Sequence, residues 1–133
     1  MITEALRLRP PSWSIFRQVK LDSRLGETRI EREDYLLLPQ WTLHRDGRFF
    51  DAPETFDPSR WETRAASDTL GYFPFGAGPH ACIGRQLALT EAQLVVAGLL
   101  ARFDIDTAGA IDDLRPAGVL QPRSDVTATV RTR

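Results

Sequence analysis

The feature that most constrains how this chain folds is a glycine-rich turn that leads directly into a long helical pattern. Residues 75–84 read Phe-Gly-Ala-Gly-Pro-His-Ala-Cys-Ile-Gly. From Cys82 onward, apolar residues recur near the 3.6-residue period of an α-helix, which predicts one amphipathic helix to about Arg102. These apolar residues are Ile83, Leu87, Leu94, Val95 and Leu99. We therefore expect a tight loop that places a cysteine in the first turn of a helix.

Shorter elements are predicted before this turn. Apolar residues within 2–8 favour a helix, which the Pro10-Pro11 pair must end because proline cannot continue it. Alternating polar and apolar residues in 13–43, with a turn at 25–27, predict a small antiparallel sheet. Residues 44–74 have little periodicity but many aromatic side chains, so we expect a packed loop there.

The end of the chain returns to a strand pattern. Phe103–Thr107 and the alternation of apolar and polar residues in 126–131 predict a closing β-hairpin or ribbon. The fold class is therefore α+β. No repeat or low-complexity tract marks a second domain, and we treat residues 1–133 as one unit. A helix that starts at the first residue lacks an N-cap, so we expect the sequence to be cut from a longer one.

Charge and cysteine content exclude several classes of function. Seventeen basic and 18 acidic side chains leave a formal net charge of −1, so no overall field draws the chain to nucleic acid or an anionic bilayer. No apolar run approaches the roughly 18 residues of a membrane span, and no export leader follows Met1, so we expect a cytoplasmic protein without a membrane segment. The sequence contains one cysteine, which excludes an internal disulfide and a multi-cysteine metal site.

The surroundings of Cys82 favour a ligand role. Free amide groups and the positive end of a helix dipole stabilise a thiolate. Gly76 and Gly78 permit positive φ or close approach of a flat ligand, and Gly84 removes a side chain above the sulfur. The alternative is a buried, inert cysteine, which most lone cysteines are. The complete ten-residue pattern favours ligation to a planar macrocycle, because its spacing is improbable by chance.

A second group of charged residues accompanies the loop. Glu4 and Arg7 lie three residues apart, so they share a face of the opening helix and can pair. Arg60, within Phe56-Asp57-Pro58-Ser59-Arg60-Trp61, is the expected third member if that segment folds back onto the helix. The alternative is a solvated surface pair with a small effect on stability.

Three motifs, in this order, resemble the carboxy-terminal part of cytochromes P450, the haem-thiolate monooxygenases. Glu4-Ala5-Leu6-Arg7 resembles the Glu-x-x-Arg of the family's K helix, Phe56–Trp61 its meander, and Phe75–Gly84 its cysteine-ligand loop. The resemblance runs the length of the chain. It implies the end of the K helix, a small sheet, the meander, the ligand loop, a long L helix and a closing hairpin, in the truncated haem-binding portion of a P450 domain.

The resemblance also implies residue roles. Cys82 is the axial ligand of the iron of haem b, with Phe75 packed beside the sulfur and Gly76 and Gly84 lining the cofactor. Glu4, Arg7 and Arg60 form a buried triad under the meander. Arg17 and His80 stand where family members often contact the haem propionates. For Arg17 an exposed strand arginine is nearly as good an interpretation, and a neutral His80 gives a weaker, pH-dependent contact.

The implied reaction places one oxygen atom of O₂ in a small organic substrate and the other in water, because thiolate ligation favours O–O cleavage. Electrons come from a ferredoxin, flavodoxin or reductase. Arg85 could help to dock an acidic electron carrier, although a solvated helix arginine is the simpler interpretation. The distal helix and substrate-recognition loops of the family are absent from these residues, so we do not expect turnover by this chain alone.

Two other hypotheses remain open. The chain is a non-catalytic P450 remnant that binds haem or a partner protein, which exposed apolar patches would indicate. Otherwise Cys82 is the nucleophile or redox thiol of a small enzyme. That hypothesis lacks a clear base, since His80 is only two residues from Cys82 and His44 is remote in sequence.

Overall fold

The structure, a computed structural model, describes residues 1–108 and 113–133. In these ranges the chain forms helices α1 (Ile2–Leu8), α2 (Gln40–Leu43) and α3 (Arg85–Leu100). Its strands are β1 (Ile15–Gln18), β2 (Ser23–Leu25), β3 (Thr28–Ile30), β4 (Tyr35–Leu38), β5 (Phe103–Thr107), β6 (Leu114–Pro116), β7 (Leu120–Pro122) and β8 (Ala128–Thr132). The predicted α+β class is confirmed.

The strands of the described ranges associate as antiparallel pairs. β1 pairs with β4, β2 with β3, β5 with β8 and β6 with β7. The region predicted as one small sheet therefore contains two separate pairs. Gly26 and Glu27 join β2 to β3, and Gly26 adopts the positive φ of 59° that this tight turn requires. The closing strands form a ribbon, because β6 and β7 lie between β5 and β8 in sequence.

Helix α1 has the predicted bounds. Its last backbone bond runs from the amide of Arg9 to the carbonyl of Ala5, at 2.7 Å. Pro10 follows, and a proline has no amide hydrogen to extend the helix. The buried positions of α1 are Glu4, Arg7 and Leu8. Its inner face is therefore mainly charged.

Helix α3 differs from its prediction in two respects. It begins at Arg85 rather than Cys82, because the amide of Arg85 closes a turn on the carbonyl of Cys82 at 3.3 Å and Gly84 is the N-cap residue. The predicted apolar face is also exposed. That face comprises Ile83, Leu87, Leu94, Val95 and Leu99. The half-buried helix positions are instead Leu89, Ala92 and Val96, on the side of α1 and β5.

Residues 44–74 are packed mainly through aromatic rings. The ring centroids of Trp61 and Tyr72 are 4.8 Å apart, and those of Phe50 and Trp61 are 6.3 Å apart. Short 3-10 turns occupy Pro58–Trp61 and Ala66–Asp68. The expectation of a packed loop is confirmed at these residues.

The most deeply buried side chains in the described ranges are polar. Glu4, Arg7, Gln40 and His44 have no exposed surface, whereas the buried apolar side chains are Leu8, Pro10, Ile30 and Phe50. No helix of the described part is long and apolar enough to cross a membrane. The core therefore lies where α1, α2 and residues 44–74 meet.

Candidate functional site

Backbone hydrogen bonds hold the loop that carries Cys82. The amide of Cys82 donates to the carbonyl of Phe75 at 2.8 Å, and this bond closes the base of the loop. Within it, the amide of Ala81 donates to the carbonyl of Gly78 at 3.0 Å. Gly76 and Gly78 have φ values of 73° and 71°, in the left-handed region that favours glycine. The local sequence thus specifies a rigid loop with a defined position for Cys82.

The thiol of Cys82 is free and exposed. Its neighbour Ile83 is fully exposed, which is unusual for a large aliphatic side chain. A Cβ added to Gly84 would have the Cys82 sulfur as its nearest neighbour, at 3.7 Å, and one added to Gly78 would meet no atom within 4 Å. The loop therefore has one open face, with sulfur and apolar surface on it.

The predicted place of Cys82 in the first helical turn is wrong. Cys82 lies two residues before the N-cap residue Gly84, and the amide of Arg85 is used by the carbonyl of Cys82. The sulfur therefore lies on the turn that precedes α3. The expectation that free amides of the first helical turn stabilise the Cys82 thiolate does not apply at this position. In the described part of the chain, no three side chains of the types His, Cys, Asp and Glu cluster as a metal site.

Arg7 and Arg60 both bind the carboxylate of Glu4. Arg7 donates from Nε to Glu4 Oε2 at 3.0 Å and from Nη2 to Oε1 at 2.8 Å. Arg60 donates from Nε to Glu4 Oε1 at 3.0 Å. This geometry excludes the solvated surface pair, because Glu4 and Arg7 have no exposed side-chain surface.

Glu4 accepts two further bonds that the sequence motifs do not indicate. Trp61 donates from Nε1 at 2.8 Å, and the amide of Asp57 donates at 3.0 Å. Burial alone would raise the pKa of Glu4, but the donors from Arg7, Asp57, Trp61 and Arg60 lower it to about 2. Glu4 is therefore a buried carboxylate that stays charged.

Arg7 also binds backbone carbonyls in the segment that precedes the meander. Its Nη1 donates to the carbonyls of His44 at 2.7 Å and Pro53 at 2.6 Å, and its Nη2 donates to the carbonyl of Thr55 at 3.0 Å. The guanidinium lies 5.2 Å from the ring centroid of Phe50. One arginine thereby ties α1 to residues 44–55.

Sequence reasoning missed the side chains that join this cluster to the loop. His44 accepts from the amide of Phe73 through Nε2 at 3.0 Å, and Gln40 donates from Nε2 to the carbonyl of Phe73. Tyr72 donates its hydroxyl to the carbonyl of Thr3 at 3.0 Å. The one signal for them was the placement of Gln40 and His44 four residues apart, which puts both on one helix face.

Burial and nearby charges set the protonation state of His44. Burial is the main reason that its pKa is lowered to about 4; the charges of Arg7 and Arg45 act in the same direction, and backbone hydrogen bonds with Arg7 and Leu6 oppose them. A neutral ring is required, because Nε2 accepts a hydrogen bond. Burial likewise raises the pKa of the Tyr72 phenol above its ordinary value.

Arg17, Phe75 and His80 lie around the loop in different environments. Ile15 Cδ1 is 3.4 Å from a Cβ built on Gly76, and Arg17 shares that face of β1 because strand side chains alternate. Arg17 is half-buried and lines a cavity of about 440 Å³ together with Ala77. Phe75 lines a neighbouring cavity of about 310 Å³, whereas His80 is exposed.

Comparison with known proteins identifies a family. A model of the cytochrome P450 family matches residues 1–128. The cyclooctat-9-en-7-ol 5-monooxygenase of Streptomyces melanosporofaciens is 41% identical over 105 residues, which are 77% of this chain and 23% of that protein. The steroid 17-alpha-hydroxylase/17,20 lyase of Sus scrofa is 38% identical over 110 residues, which are 79% of this chain and 22% of that protein.

A solved structure is similar as well. The crystal structure of a cytochrome P450 (CYP102L1) matches with a TM-score of 0.86 and 30% sequence identity, over 99% of this chain and 31% of that one. The chain thus spans less than a quarter of the length of the two curated relatives. The family model and the solved structure match almost its whole length, and the two curated relatives match 77% and 79% of it. The chain therefore belongs to the cytochrome P450 family.

Proposed function

We propose that Cys82 is the axial thiolate ligand of a haem b iron, and that this chain supplies the proximal side of a cytochrome P450 monooxygenase. The observation that carries the proposal is the exposed, unpaired thiol on a rigid loop with one open face. We also propose that residues 1–133 are the carboxy-terminal haem-binding portion of that domain. A cytoplasmic location stays a prediction, which cell fractionation tests.

The residues around Cys82 fit a flat, largely apolar group. Ile83 is fully exposed beside the sulfur, and Gly84 adds no side chain above it. Phe75 is half-buried at the base of the loop, with its carbonyl bound to the amide of Cys82. Thiolate-ligated haem, when bound, supplies O–O cleavage that places one oxygen atom in an organic substrate and the other in water.

The remaining residues hold and orient this side of the site. Glu4, Arg7 and Arg60 fix the meander, since Glu4 binds Arg60 and the Asp57 amide within it, and Arg7 and Arg60 donate to carbonyls just before it. Arg17 and His80 are assigned to the haem propionates, with Arg17 on the strand face that contacts Gly76. Electrons would come from a ferredoxin, flavodoxin or reductase, and the substrate would be a small organic molecule.

The ferrous carbon-monoxide spectrum tests the ligand. The protein is expressed from its complete gene with haem, reduced, and exposed to carbon monoxide, next to Cys82→Ala. We expect the red-shifted band of cysteine-ligated haem in the parent protein and its loss in Cys82→Ala. Gln86→Ala, at an exposed position early in α3, is the matched control and should keep the band. An unchanged band in Cys82→Ala would refute the assignment.

The exposed apolar side chains of α3 favour one alternative, a non-catalytic P450 remnant that binds haem or a protein. Leu87 and Leu94 are 72% and 70% exposed, and monomeric proteins rarely leave contiguous apolar patches uncovered. Haem uptake by the 133 residues alone, without substrate oxidation by the full gene product, would support this alternative.

A further inference from the structure

Two buried side chains, Gln40 of α2 and its C-cap residue His44, bind both polar backbone groups of one residue, Phe73. Gln40 donates from Nε2 to the carbonyl of Phe73, and His44 accepts from its amide through Nε2 at 3.0 Å. Gln40 and His44 have no exposed surface and lie one turn apart. In a β-sheet a neighbouring strand would bind the amide and the carbonyl of such a residue, but here two side chains bind them.

Phe73 is directly connected to the loop that carries Cys82. The Phe73 carbonyl also accepts from the amide of Gly76 at 2.9 Å, which forms the first turn of the loop. Phe75, inside that turn, accepts from the amide of Cys82 at 2.8 Å. A displacement of Phe73 is therefore transmitted to Cys82 through two backbone hydrogen bonds, from Gly76 to Phe73 and from Cys82 to Phe75.

We call Gln40 and His44 together the clamp on Phe73. Its other end is fixed to the buried charge cluster of Glu4, Arg7 and Arg60. The carbonyl of His44 accepts from Arg7 Nη1 at 2.7 Å, and Arg7 is paired with Glu4. The imidazole is held between the rings of Tyr72 and Phe73, with centroids 5.2 and 5.5 Å away. Gln40 and His44 thus join a rigid base to a loop whose residues 77–83 are exposed.

We infer that Gln40 and His44 are positioning residues that hold the sulfur of Cys82 in place for ligation. This inference rests on the proposed role of Cys82. Both side chains act through Phe73 and neither contacts the sulfur. Outer hydrogen bonds of this kind commonly change metal-site affinity by roughly 10- to 100-fold when they are lost.

Gln40→Met separates positioning from simple stabilisation. Methionine has a similar shape, and the Phe73 carbonyl keeps its bond from the Gly76 amide, so no backbone group is orphaned. The substitution also removes Gln40 Oε1, which has no partner in the described part of the chain. We therefore expect a melting temperature at or above that of the parent protein. The red-shifted carbon-monoxide band should nevertheless convert to the non-thiolate form about tenfold faster.

His44 is tested with a matched pair of variants in the haem-loaded protein. His44→Leu removes the acceptor for the Phe73 amide and should also accelerate loss of the band by about tenfold. His44→Gln places an amide oxygen, which can accept from the Phe73 amide, at a similar distance along the side chain and should restore the parent rate. Ile30→Ala, a core truncation in β3, lowers stability outside the clamp and should leave the rate unchanged at temperatures where it is folded.

The outcomes separate this inference from the function it rests on. Faster band loss in Gln40→Met without loss of stability, with rescue by His44→Gln, supports the clamp. Parent rates in Gln40→Met and His44→Leu, while Cys82→Ala abolishes the band, overturn the clamp and leave the ligand assignment intact. A band that survives Cys82→Ala overturns both.

Discussion

Glu4 and Arg7 form an ion pair with no exposed side-chain surface on either partner. Such a pair is stable only when every remaining donor and acceptor is used, because desolvation of each charge is costly. Glu4 accepts from Arg60, Trp61 and the Asp57 amide in addition to Arg7. Arg7 donates its other hydrogens to backbone carbonyls. At the residue scale the fold depends on complete pairing of these charges.

Glu4→Gln should therefore be strongly destabilising. The amide keeps the shape of Glu4 but leaves Arg7 buried without its anion, a loss of about 3–5 kcal/mol in free energy of unfolding. Urea denaturation followed by tryptophan fluorescence measures it. Arg29→Gln, in an exposed pair with Asp22, is the control and should have little effect. A loss equal to that control would contradict a structural role for the cluster.

His44 should make stability depend on pH in a defined window. An unfolded-chain histidine takes up a proton below about pH 6.5, whereas the folded pKa is lowered to about 4. The stabilisation is present above pH 6.5 and is lost as pH falls toward 4, by on the order of 3 kcal/mol. Unfolding free energies from pH 7 to 4 for the parent protein and His44→Gln test this. Parallel curves would show that His44 is not held neutral.

At the scale of elements, the end of α1 and the glycine conformations of the ligand loop were predictable, because local chemistry decides them. Pro10 ends α1, and Gly76 and Gly78 take the positive φ that their turn requires. The start of α3 was predicted three residues early. The helical spacing of apolar residues already includes Ile83, and nothing in that spacing indicates the turn that joins Cys82 to Arg85. The element contacts of Gln40 and His44 were not predictable, because their partner Phe73 is 33 and 29 residues away.

Gly71, just before the ligand loop, is a position where glycine is required. It has a φ of 84°, and an added Cβ would lie 2.8 Å from Cδ2 of Phe49. Gly71→Ala should cost about 1–3 kcal/mol in free energy of unfolding, from backbone strain and the clash. Gly47 has neither a positive φ nor a neighbour within 4 Å, so Gly47→Ala is the matched control in the same denaturation series. Equal effects of the two substitutions would contradict the described turn.

At the scale of the whole molecule, large apolar side chains lie on the surface, whereas the most deeply buried side chains are mainly polar. Leu87 and Leu94 of α3 are exposed, although a helical pattern of apolar residues predicted a buried face. The pattern was correctly identified as helical, but it could not indicate what covers it. The same holds for the open side of the ligand loop, where Ile83 is fully exposed.

The isolated 133 residues should self-associate through this face of α3. Leu94→Glu should weaken association about tenfold or more, because burial of one leucine contributes about 1.5–3 kcal/mol. Sedimentation velocity over a concentration series measures the constant. Gln93→Glu, exposed on the same helix but turned about 100° away from Leu94, is the charge-matched control. Concentration-independent monomers of the unsubstituted chain would contradict this prediction.

The central claim is that the sulfur of Cys82 binds iron. Iron-edge X-ray absorption of the haem-loaded protein, expressed from its complete gene, tests it most directly because the technique detects sulfur in the metal's first coordination shell. We predict one sulfur neighbour in the parent protein, unchanged in Gln86→Ala and absent in Cys82→Ala. An iron shell without sulfur in the parent protein, or one that is the same after Cys82→Ala, would contradict the account.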